Sequence, residues 1–276
     1  MGKLPPFIRW TRSSTILLSG FLMVIGLILY VWWPLAQDYL SYFAYADWHH
    51  WWLYIDWLLI GVFLFMSLTI VSRADLRRDG LIVLVATIGG LVIEAWGTQT
   101  NLWFYYTSER PPLWIVPAWP IATLSIDRIT RTLSYFLPKE SKRAYRILYW
   151  LIFISFYALM LIFVAPTLDK PYTILALLFC GLLILTPTND RLALLVFVAG
   201  SGLGYFLELW GTTRQCWTYY TNQTPPLFAV LAHGMAAVAF WRAGLMLKML
   251  AARFGLFGPE PVKVGSEPSQ STRREA

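Results

Sequence analysis

The residues of this chain best placed to do chemistry are Glu94 and Glu208, because each lies inside an apolar run long enough to cross a bilayer. A carboxyl in hydrocarbon costs a few kcal/mol or more, so it normally faces a bundle interior and has a partner or a task. Both glutamates open the same pattern. Residues 94–113 read EAWGTQTNLWFYYTSERPPL and residues 208–227 read ELWGTTRQCWTYYTNQTPPL, which align without a gap at an offset of 114 with eleven identical positions. The offset also pairs Gly90 with Gly204 and Arg128 with Arg242, so the similarity runs through a helix, a loop and the next helix. This is the mark of an internal duplication.

A third acid, Asp56, enters its apolar segment from the same side and reaches a similar depth. Three carboxyls at one level are expected to line one outward-facing, aromatic-walled cavity, where burial and like charge keep at least one of them neutral, as a general acid must be. A second reading stays open: each glutamate accepts hydrogen bonds from a Tyr, Trp or Thr of its own loop and pins that loop to the helix. Asp56 has no acidic counterpart, since the offset places Lys170 there.

Around the acids, Trp96, Trp103, Tyr105 and Tyr106 recur as Trp210, Trp217, Tyr219 and Tyr220. They form either a stacking wall for a long unsaturated ligand or an interfacial aromatic belt. His233 falls opposite Trp119 and so has no twin in the first half. It is read as a substrate-side residue or a packed helix histidine. His49 and His50 have no Cys or acidic cluster at ligand spacing nearby, so no metal and no other cofactor is expected. Cys180 and Cys216 suggest no disulfide framework. In Gly200-Ser201-Gly202-Leu203-Gly204 the GxxxG spacing points to close helix packing.

The elements that position these residues are membrane helices. Charged residues make up 13% of the chain and hydrophobic ones 58%, against roughly 25% charged in soluble domains. A bilayer core needs about 20 apolar residues per helix, and eight windows fit: 14–35, 52–72, 80–98, 113–134, 147–166, 171–187, 191–211 and 226–250. Pro117 and Pro120 should kink the fourth. The expected fold is all-α, a polytopic integral membrane bundle of about eight spans. Residues 1–135 and 136–257 would be two parallel four-helix repeats, and 258–276 a disordered cytoplasmic tail.

Of the 22 basic residues, only Arg110, Lys170 and Arg214 fall in outer loops, leaving 22 − 3 = 19 on the other side. The positive-inside rule then puts both termini in the cytoplasm of a multi-pass cell-membrane protein. The net charge of +7 is scattered in short runs and builds no nucleic-acid face. The expected partners are membrane lipid and an apolar ligand.

From Glu94 onward the order is Glu, Gly97, Thr98, the run Phe104-Tyr105-Tyr106-Thr107, Pro112-Leu113, then Val116-Pro117 and an apolar helix. This order resembles the carotenoid hydratase family of membrane proteins, which add water to a terminal double bond of a carotenoid. The resemblance implies an isoprenoid or carotenoid substrate, with Glu94 and Glu208 as acid and partner and the tryptophans and tyrosines around the polyene. Alkene hydration or cyclisation begins by protonation to a carbocation, which needs a carboxylic acid in a dry pocket and aromatic faces that stabilise positive charge. The alternative of a different class is a non-enzymatic carrier or scaffold subunit, which the parallel duplication also suits.

Overall fold

A computed structural model describes residues 10–45, 48–137, 141–186 and 189–254. The expected tail at 258–276 lies outside these. The helices are α1 (Arg12–Val31), α2 (Trp33–Ser41), α3 (Trp57–Val71), α4 (Leu76–Gln99), α5 (Ala118–Phe136), α6 (Lys142–Val164), α7 (Pro171–Leu185), α8 (Asp190–Thr213) and α9 (Leu227–Arg253). Short 3-10 turns fill Tyr42–Tyr45, Trp48–Tyr54 and Ala165–Thr167. The molecule is all-α but for two three-residue strands, β1 (Trp103–Tyr105) and β2 (Trp217–Tyr219).

The helix starts follow from local chemistry. Thr11 and Ser14 form a reciprocal capping box, and the side chains of Asp56, Asp75 and Asn189 each accept a backbone N–H of the helix they precede. Such caps satisfy donors that have no intrahelical acceptor. Pro117 stands just before α5 and Pro120 in its first turn. First-turn N–H groups need no helical partner, so neither proline kinks a helix interior as expected from sequence.

Five helices, α1, α4, α6, α8 and α9, are long and apolar enough to cross a membrane. The apolar α3 and α7 have 15 residues each, about 22 Å at 1.5 Å per residue. α5 falls short for a different reason: it carries Asp127, Arg128 and Arg131. Arg128 is buried and donates to Asp79 of α4 at 2.6 Å, to Asp127 at 2.6 Å and to the Ser72 carbonyl at 2.9 Å. Its counterpart Arg242 donates to the Leu183 carbonyl and to Thr186 Oγ1.

The centre of the bundle is the α8–α9 contact. A Cβ on Gly200 would meet Gly234 Cα at 2.8 Å, so two glycines let these backbones approach where larger residues would hold them apart. Around this core the surface is apolar, with Met23, Leu84, Leu151, Leu178 and Val198 all exposed. A continuous apolar surface of this kind suits lipid as the solvent.

Candidate functional site

The site starts from how α4 ends. Asn101 takes a left-handed conformation (φ 60°) and the Leu102 N–H donates to the Gly97 carbonyl at 2.9 Å. The chain therefore turns back across the helix end, and β1 lays Trp103 over Gly97. A Cβ on Gly97 would stand 1.9 Å from the Trp103 ring, so only glycine allows the contact. Trp103 Nε1 then donates to Glu94 Oε2 at 3.0 Å, and Tyr105 OH donates to Oε1 at 3.0 Å. From α5, Trp119 Nε1 donates to Oε1 at 3.1 Å.

The end of α8 repeats this arrangement residue by residue. Gln215 is left-handed (φ 55°), the Cys216 N–H donates to the Gly211 carbonyl at 2.9 Å, and Trp217 covers Gly211. Trp217 Nε1 donates to Glu208 Oε2 at 2.9 Å and Tyr219 OH to Oε1 at 2.9 Å. One partner differs: in place of Trp119, His233 Nε2 lies 2.9 Å from Glu208 Oε1.

The two copies meet. β1 and β2 pair antiparallel, with Trp103 opposite Tyr219 and Tyr105 opposite Trp217. Trp119 and His233 stack, ring centres 5.6 Å apart and planes 21° from parallel. Glu94, Trp119, His233 and Glu208 thus form one connected row. Both carboxyls are buried, and both line one cavity of about 1440 Å³ whose wall is mostly apolar.

The two sequence readings of the glutamates are therefore not exclusive. Each carboxyl bonds its own loop, and each also faces the common cavity. Of the expected ligand-wall residues, Trp96, Trp103, Tyr105, Trp210, Trp217, Tyr219 and His233 line that cavity. Tyr106 and Tyr220 do not: their hydroxyls donate to the carbonyls of Val31 and Phe163, tying each loop to a neighbouring helix.

Asp56 lines the same cavity as the two glutamates and is held there by groups of other elements. Besides capping α3, it accepts from Trp210 Nε1 at 2.9 Å and from Arg214 Nε at 3.0 Å, so its oxygens are committed to fastening α8 to the start of α3. The matching bond of the other half joins Trp96 Nε1 to Thr173 Oγ1 at 3.2 Å. Trp119 was missed as a site residue, although its alignment with His233 was a usable signal.

Tyr105 and Tyr219 have acidities pushed well above the usual phenol value, first by burial and then by the charge of the adjacent glutamate, so they act as neutral donors. Burial pushes the Cys216 thiol up to about 12. Among the described residues no three His, Cys, Asp or Glu side chains cluster as metal ligands.

No protein-family model, curated protein or solved structure matches the chain. What the site can do must come from its own donors and acceptors. An indole N–H only donates, so a proton on Glu94 has only the Tyr105 oxygen to point at among its three partners. Glu208 has beside it the imidazole of His233, whose Nε2 donates or accepts according to its tautomer. The second copy therefore has one more group able to exchange a proton with its carboxyl than the first.

Proposed function

We propose that this chain is an eight-span cell-membrane protein of two parallel four-helix repeats, with cytoplasmic termini, that protonates a carbon–carbon double bond of an isoprenoid or carotenoid. The observation that carries the chemistry is the Glu208–His233 pair on the wall of a large apolar, aromatic-lined cavity. The repeat reading is supported by matched bounds. α3 and α7, α4 and α8, and β1 and β2 each begin and end 114 residues apart. Four helices per unit gives an even number of crossings, which relates the halves by an axis along the membrane normal.

In the reaction, a proton held between Glu208 and His233 moves to the less substituted alkene carbon, and the π electrons form the new C–H bond. The cation left on the neighbouring carbon faces the rings of Trp103, Trp217 and Trp119, which stabilise positive charge. Water then adds with loss of a proton, or a neighbouring double bond attacks to close a ring and the new cation loses a proton from an adjacent carbon to leave an alkene. Glu94, fixed by three donors, supplies negative charge across the cavity.

Expression in a lycopene-producing host tests this. The reading expects new pigments of higher polarity or altered ring content by chromatography and mass spectrometry. An unchanged pigment profile with the protein present in the membrane counts against it. A carrier is the second reading, favoured because each carboxyl is held in place by hydrogen bonds from its own loop. It expects isoprenoid to co-purify chemically unchanged.

A further inference from the structure

We infer that the cavity is loaded sideways from the bilayer, through the crevice between α4 and α7, and that its occupant is one branched prenyl chain lying along α9. The inference rests on the isoprenoid reading above and adds the route and the seat. Ile88 and Val92 on α4 and Leu175 and Phe179 on α7 line the cavity, yet each is more than half exposed on the outside of the bundle. The cavity therefore reaches the lipid-facing surface between these helices. At the outer end its wall is formed by α2, through Leu35, Ala36, Asp38 and Tyr39, by Tyr42 just after it, and by the paired loops.

The two halves differ in how this side is fastened. α8 is joined to the start of α3 by Asp56, which takes both Trp210 and the Arg214 guanidinium. Among the described residues, the polar link between α4 and α7 is the neutral Trp96–Thr173 bond at 3.2 Å. Charge-assisted bonds are roughly twice as strong as neutral ones, so the α4–α7 side is the one that parts.

The floor of the crevice is α9. Ala232, Ala236, Ala239 and Ala243 recur at spacings of four, three and four, on one helix face, and all line the cavity. Eleven residues at 1.5 Å give about 17 Å of methyl-lined track. It ends beside His233, one residue from Ala232. A chain on this track has its double bonds delivered to the Glu208–His233 pair. The choice of a prenyl over a straight acyl chain follows from the acid: a trisubstituted alkene protonates to a tertiary cation, whereas a straight-chain alkene gives a less stable secondary one.

The test uses full-length protein in phosphatidylcholine vesicles with a diazirine-bearing geranylgeraniol as probe and a diazirine-bearing stearyl alcohol as comparison. Photolabelling by the prenyl probe is expected on peptides of α4, α7 and α9. Ala236→Leu and Leu175→Trp should each lower it about tenfold, equivalent to about 1.4 kcal/mol, while Leu151→Trp on the lipid face of α6 leaves it unchanged. Thermal unfolding of each variant shows that it is folded, and the two crevice variants act separately on its floor and on its α7 wall. Label no stronger on α9 than on α6, or label unaffected by both crevice variants, overturns the route. Equal labelling by the stearyl probe overturns the prenyl assignment. Binding is read without turnover, so the route stands or falls separately from the acid chemistry.

Discussion

At Gly97 the space for a side chain is already taken by the Trp103 ring, and the same holds at Gly211 beneath Trp217. Gly97→Ala should lift the indole off the helix and break its bond to Glu94. Overpacking of this kind costs about 1–3 kcal/mol, so thermal unfolding of the purified protein should fall measurably. An unchanged midpoint would mean that the loop is not seated by this contact. Much of this detail was legible in the sequence: the duplicated Glu, Gly, Trp and Tyr positions named both carboxyls and four of their six partners. His233 was named from sequence, but Trp119 was harder to see. Both lie 25 residues from their glutamates, and the repeat pairs them only as unlike residues, a weaker signal than identity. The partners of Asp56 were not legible, because depth alone does not reveal a guanidinium and an indole arriving from a segment more than 150 residues away.

At the scale of elements, Asp56 belongs to the frame. Asp56→Ala removes the cap of α3, a loss of about 0.5–2 kcal/mol, and frees Arg214. The expected outcome is a lower unfolding midpoint with product per folded molecule unchanged. Lost activity at full stability would restore Asp56 to the acid group. Apolar windows placed the long helices well because lipid demands their length. They were weaker for α5, where Arg128 and Asp79 pay for burial with each other, leaving a helix whose composition is not that of a span. The strands were not visible at all: three residues each, they exist only because the two loops meet. The Trp-x-Tyr alternation that puts both rings on one face was the sole local hint.

For the whole molecule, the orientation is a direct prediction. Single cysteines at positions 109 and 142 should react with a membrane-impermeant maleimide in opposite ways, the first from outside intact cells and the second only after lysis. The reverse pattern would invert the protein in the membrane and place the paired loops on the cytoplasmic side. The central claim, that the Glu208–His233 pair delivers a proton to a ligand in the shared cavity, is tested most directly by deuterium. Membranes containing the protein are incubated in D₂O with an isoprenoid alkene such as lycopene, and the carbon-bound deuterium in the recovered lipid is measured per folded molecule. The account predicts incorporation by the wild-type chain and a fall of about 10²-fold or more in His233→Gln, the scale of a lost general acid, with the unfolding midpoint retained. No incorporation by the wild-type chain, or full incorporation by His233→Gln, would contradict it.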